Sequence, residues 1–116
     1  MDSKFDELKH KILTFRDQRD WAQYHDPKNL AAAISIEAAE LQEIFLWLAT
    51  GASREFSPDR VDRVKEEAAD IFIFLSYLCD ALNIDLLDAV EDKLSRNALK
   101  YPVQKSKGLS TKYTDL

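Results

Sequence analysis

The chain has 116 residues, enough for one domain with a real core and too few for a deeply enclosed active site. Two glycines and three prolines argue for long helices and against a sheet, and a net charge of −5 argues against a basic nucleic-acid-binding surface. No apolar run approaches the roughly 20 residues that cross a bilayer, and the N-terminus lacks the apolar centre of a signal peptide, so no membrane partner is expected. One cysteine, Cys79, allows no internal disulfide and fits a reducing cytoplasm, with the thiol read as a small core residue.

In chain order, Ser3 followed by Asp6 reads as a capping box that opens a first helix. Phe5, Leu8, Ile12 and Phe15 give it a single apolar face, and it is expected to run to about Trp21. Asp26-Pro27 is a cap followed by proline at the first helical position, so a second helix is expected from Pro27 to Thr50, stopping at Gly51. Ser57-Pro58 repeats that signal for a third helix to about Leu82. Asp85 caps a fourth, which carries Leu86, Val90, Leu94 and Tyr101 along one side and ends before Pro102. Residues 1–102 thus read as one helical domain and 103–116 as an irregular tail, solvated or acting as a cationic flap.

Two tetrads, Glu37-Ala-Ala-Glu40 and Glu67-Ala-Ala-Asp70, dominate the pattern. Residues three apart share a helix face, so each tetrad presents two carboxylates in one direction. At about 100° per residue, Leu30, Leu41, Ile44 and Leu48 fall within roughly 40° of Glu37, and Ile71, Phe74 and Leu78 fall equally close to Glu67. These acids therefore sit within the apolar stripes, Glu40 at an edge. Buried carboxylates must take up protons, pair with cations or bind metal. Two such helices packed antiparallel would aim four acids at one volume, an oxygen-only site suited to Mg²⁺, with Mn²⁺ as a substitute. The plainer alternative is a rim of acids neutralised by Arg60, Arg63 or Lys65. A di-iron centre is rejected, because Glu7-x-x-His10 points off the apolar stripe and His25 has Ala22 where a second glutamate would be needed.

A carboxylate-held Mg²⁺ is chiefly useful with a polyphosphate, and a remaining carboxylate can deprotonate water. With two glycines there is no phosphate-cradling glycine loop. Short connections make the four helices an antiparallel bundle. The apolar run Phe72 to Leu78 exceeds what four helices can cover, so a homo-oligomer is expected, dimer or tetramer.

The order Trp21-x-x-x-His25-x-Pro27-x-Asn29-Leu30, Glu37-x-x-Glu40-Leu41, Phe45-x-Trp47, Glu67-x-x-Asp70 and then Lys93, Asn97 and Lys100-Tyr101-Pro102 resembles the MazG-like all-α nucleoside triphosphate pyrophosphohydrolases, most closely their dCTP pyrophosphatase branch. The resemblance covers roughly residues 15–105. It implies Mg²⁺-dependent hydrolysis of a nucleoside triphosphate, dCTP or related dNTPs, to monophosphate and pyrophosphate, a nucleotide-pool house-cleaning activity. It further implies metal contacts from Glu37, Glu40, Glu67 and Asp70. Base and sugar contacts would come from Trp21, His25 and Trp47, polar contacts from Asn97 and Tyr101, and phosphate contacts from Lys93 and Lys100. Asn29 belongs to the same motif, and Tyr77 joins as a weaker candidate beside its default place in the core. Ile36 stands where many relatives carry a further glutamate, which leaves the water-activating carboxylate open, Glu43 included. Ser95 stands where the dCTP branch often has aspartate, which leaves the preferred base open. The competing class is a non-catalytic helical adaptor that pairs its apolar faces with another chain.

Overall fold

The computed structural model describes residues 3–48 and 56–116. Its described residues are helical, with no strand among them: α1 (Lys4–Gln18), a 3₁₀ turn (Ala22–Tyr24), α2 (Pro27–Glu43), α3 (Pro58–Ala81), α4 (Leu86–Lys100), a single turn α5 (Val103–Ser106) and a closing 3₁₀ turn (Tyr113–Asp115). The expected all-α class and four long helices are borne out. The chain divides into two compact units, Met1–Asn83 and Ile84–Leu116.

Side-chain caps start the four long helices, because the first backbone N–H groups of a helix have no internal partner. Ser3, Asp26, Ser57 and Asp85 accept from the backbone N–H three residues on, at 3.2, 2.8, 3.3 and 3.1 Å. Pro27 and Pro58 then occupy the first helical positions, where a missing N–H costs nothing.

In the first unit α3 packs against both α1 and α2. Phe5 meets Phe72 edge-to-face at 6.1 Å, the Tyr77 hydroxyl donates to the Ile12 carbonyl at 3.2 Å, and Arg16 pairs with Asp80 at 2.9 Å. Contacts that advance together along both helices make α1 and α3 parallel. The pairs Phe45–Phe56 and His25–Tyr77 run in opposite senses, which makes α2 antiparallel to α3 as the short connection requires. The core is Ile12, Leu30 and Tyr77, with Leu13, Phe72, Ile73, Phe74 and Leu78 packed around it. Cys79 is buried, and burial pushes its thiol pKa up, as suits an inert core residue.

Two helix ends and the C-terminal stretch differ from expectation. The first helix stops at Gln18 rather than near Trp21, because Asp20 adopts a left-handed φ of 53°. Asp20 then donates to the Asp17 carbonyl and Trp21 to the Arg16 carbonyl, a Schellman-type stop. The second helix ends at Glu43 rather than Thr50. Residues 44–48 tighten into three-residue hydrogen bonds and Trp47, at φ 68°, cannot continue a right-handed helix. The expected stop at Gly51 lies outside the described residues. In the second unit the stretch expected to be irregular contains α5 and the final 3₁₀ turn, and Tyr113 packs on Tyr101 at 5.8 Å. Elements of three or four residues are too short to leave a periodic signature.

Leu30, only 1% exposed, is the most enclosed side chain of this core. Leu30→Ala should lower the unfolding free energy by about 3 kcal/mol. Tyr77→Phe, which removes one buried hydrogen bond, should lower it by about 1 kcal/mol. Urea unfolding followed by far-UV circular dichroism measures both.

Candidate metal and nucleotide site

Helices α2 and α3 turn the two tetrads towards each other. Glu37, Glu67 and Asp70 each offer a carboxylate oxygen, and these oxygens all lie within 4.8 Å of one another. Glu37 and Glu67 are half-buried and Asp70 is exposed. Glu40 is also exposed and stands beside Glu37, outside that three-residue set.

The cluster lacks compensation. Glu37 Oε2 and Glu67 Oε2 are buried without a hydrogen-bond donor. Among the described residues no lysine or arginine forms an ion pair with any of the four acids. Lys65, one of the neutralising partners in the plainer alternative, lies instead 3.9 Å from Asp62. The outcome appears at Glu37, whose pKa is pushed up to about 7 from 4.5. A side-chain hydrogen bond with Glu67, which needs one of the two carboxyls protonated, is the largest cause, followed by burial, the hydrogen bond and charge of Glu40, and the charge of Asp70. Orphaned buried oxygens at mutual spacing of this order fit a divalent cation.

Asp70 also lines a cavity of about 510 Å³, together with Lys11, Ile12, Phe15, Trp21, His25, Ile73, Phe74 and Tyr77. That volume lies in the range of small-molecule sites, mostly apolar with a few polar groups. His25 packs on the Tyr77 ring at 4.9 Å, and its buried Nδ1 has no partner. Desolvation first, and the nearby Arg16 charge second, lower its pKa, which favours the neutral imidazole.

Of the sequence candidates, Trp21, His25, Tyr77 and Asp70 therefore meet around one cavity, and Glu37 and Glu67 reach it through Asp70. The Tyr77 hydroxyl is occupied by the Ile12 carbonyl, so only its ring faces the cavity. The Asn29 amide donates to the Tyr24 carbonyl and to Asp26 Oδ2, both at 3.2 Å, and so fixes the turn that presents His25. Trp47 is 92% exposed on the turn after α2. Lys93, Asn97, Lys100 and Tyr101 belong to the second unit, where Lys100 Nζ lies 4.8 Å from the Tyr113 ring centre. Phe15, on the apolar face of α1, and Lys11 also line the cavity; the sequence carries no signal for Lys11 there and for Phe15 only its place six residues before Trp21.

Paired acid tetrads on antiparallel helices beside an aromatic cavity define a helical class with an acidic cluster that could hold a metal. The model of the MazG-like family matches residues 32–116. The chain is 35% identical to dCTP pyrophosphatase 1 of Rattus norvegicus and 34% identical to that of Homo sapiens, in each case over 96% of this chain and 66% of the relative. It thus spans just under two thirds of the length of these curated relatives. A crystal structure of a pyrophosphatase from Archaeoglobus fulgidus superposes with a TM-score of 0.83 at 44% identity, covering 88% of this chain and 95% of that one. The chain belongs to the MazG-like family.

The raised Glu37 pKa sets the pH response of the metal-free protein. Between pH 4.5 and about 7 the folded state holds a proton that the unfolded state has released, so stability contributed by this group falls as pH rises through that window. A divalent cation takes the ionised form and should reverse the trend. The melting temperature of the metal-free protein should fall from about pH 5 to pH 8, Glu37→Gln should flatten that slope, and Mg²⁺ or Mn²⁺ should raise the melting temperature most at the alkaline end. Differential scanning fluorimetry across pH, with and without metal, reads all three.

Proposed function

We propose that this chain is a divalent-metal-dependent nucleoside triphosphate pyrophosphohydrolase acting on dCTP or a related deoxynucleotide. The observation that carries the reading is Asp70, which belongs both to the carboxylate cluster and to the wall of the aromatic cavity. A triphosphate at the acids and a base in the cavity can then be held by one continuous site. The names of the relatives support the same chemistry.

Glu37, Glu67 and Asp70 would hold Mg²⁺, or Mn²⁺ in its place, with Glu40 as a fourth ligand after rotation of its exposed side chain. Held there, a divalent cation would supply neutralisation of the phosphate charge. A carboxylate of the cluster accepts a proton from water as that water attacks the α-phosphorus. The bond from the α-phosphorus to the α–β bridging oxygen breaks, and pyrophosphate leaves with the bonding electrons. Trp21 and the Tyr77 ring wall the base, and neutral His25 offers a directional hydrogen-bonding edge. Asn29 holds the turn that carries His25. By the family resemblance, Trp47, Asn97 and Tyr101 contribute further contacts, and Lys93 and Lys100 meet phosphate. The exposed apolar residues Leu94 and Leu99 on α4 support self-association as a homodimer or homotetramer. No described helix is long and apolar enough to cross a membrane, and with a single reduced cysteine this supports a cytoplasmic setting.

A panel of dNTPs and NTPs with Mg²⁺, with pyrophosphate and orthophosphate measured separately, tests the reading. Pyrophosphate plus monophosphate is expected. Glu37→Gln should reduce turnover by at least about 100-fold with the helical spectrum intact, and Glu40→Gln by a smaller factor, about 10-fold. Orthophosphate as the sole product, or a folded and fully active Glu37→Gln variant, would overturn it.

A further inference from the structure

The residues that follow α1 hold a single side chain in place. Asp20 takes a left-handed φ of 53°, which brings Trp21 back so that its N–H donates to the Arg16 carbonyl at 3.2 Å. Gln23 Nε2 ties the reversal down by donating to the Asp20 carbonyl at 3.0 Å and to Asp20 Oδ2 at 3.1 Å. The turn delivers Trp21 edge-to-face against Phe15, with ring centres 5.8 Å apart at 71°. Arg19 closes on the same ring: its guanidinium carbon lies 3.6 Å from the Phe15 centre and 5.9 Å from that of Trp21. The guanidinium also donates to the Phe15 carbonyl at 2.9 Å, which fixes its plane.

Phe15 and Trp21 line the cavity, and Arg19 is not among its lining residues. Both rings are close to half exposed, and half-exposed aromatic side chains keep rotamer freedom that a ligand must remove on binding. Arg19 therefore acts on the cavity through the rings rather than on its occupant. A flat guanidinium suits this task where an ammonium does not, because it stacks face to face and donates in a fixed fork.

We propose that Arg19 is a positioning residue that pins Phe15 and Trp21 as a preformed aromatic wall for the base of the bound nucleotide. The proposal rests on the functional reading above, in which the cavity takes the base. Preorganisation affects binding, so it predicts a change in affinity with the chemical step left alone.

The test uses full-length wild type, Arg19→Ala and Arg19→Lys. Tryptophan emission and acrylamide quenching are read without nucleotide, and kcat and KM for dCTP are read with Mg²⁺; Trp47, 92% exposed, supplies a constant background to the emission. In Arg19→Ala the emission should shift to the red, quenching should increase, and KM should rise about fivefold with kcat within about twofold of wild type. Arg19→Lys, which keeps the charge and loses the flat face, should behave like the alanine variant. Unchanged emission and KM in Arg19→Ala, loss of the fold, a fall in kcat in step with KM, or full restoration by lysine would each overturn the proposal. Should wild type turn over no nucleotide, the functional reading fails, and the emission arm alone decides whether Arg19 pins the wall.

Discussion

Three carboxylates held within reach of one another, with no lysine or arginine among the described residues paired to them, are the constraint on which the first unit depends. Like charges at such spacing oppose folding, and the protein answers by retaining a proton on Glu37. The stabilising contacts lie elsewhere on α3, where Ile12, Leu30 and Tyr77 pack together and Arg16 pairs with Asp80. α3 thus carries two opposed tasks along its length. Its earlier half holds acids that would rather be apart, and its later half anchors α1 and the start of α2.

The same need for fixed geometry shows at the helix ends. A chain with two glycines has few residues to place at left-handed positions, yet Asp20, Trp47 and Asn83 all take positive φ just beyond a helix. Aspartate and asparagine tolerate that conformation, because a short polar side chain can bond locally. Tryptophan has no such relief, and the cost is about 1–2 kcal/mol. Strain of this size at an exposed aromatic, on the turn that leaves the acid-bearing helix, is the kind that binding sites retain.

Much of this was legible in the sequence, for definite reasons. Cap-plus-proline pairs fixed where α2 and α3 begin, since their chemistry is local. The acid tetrads declared themselves because carboxylates within an apolar stripe conflict with the rest of the pattern. The C-terminal ends were less legible: aspartate permits a left-handed backbone at Asp20 without demanding it, and nothing in Trp47 as a residue type announces one, so the expected α1 and α2 run too far. Glu40 shows the limit of angular reasoning. It falls at the edge of the apolar stripe, about 60° from Glu37, and it lies outside the three-carboxylate set. Phe15 was placed on the right face and given only half its role, because periodicity sorts residues into inward and outward without saying that an inward face can border a cavity.

An acid-held cation recognises what all nucleoside triphosphates share, the phosphate chain, and so contributes affinity without choice of base. A glycine-rich cradle of backbone amides would have had the same indifference, and this chain lacks the glycines to build one. On the proposed reading, discrimination lies in the cavity, where Phe15, Trp21, His25 and Tyr77 present flat faces and an unpartnered ring nitrogen. Flat faces accept any base; one directional nitrogen, kept neutral by burial and by Arg16, distinguishes a donor from an acceptor. On that reading the site gains its selectivity from how rigidly its readers are held, so the residues behind the wall matter as much as those that face the base.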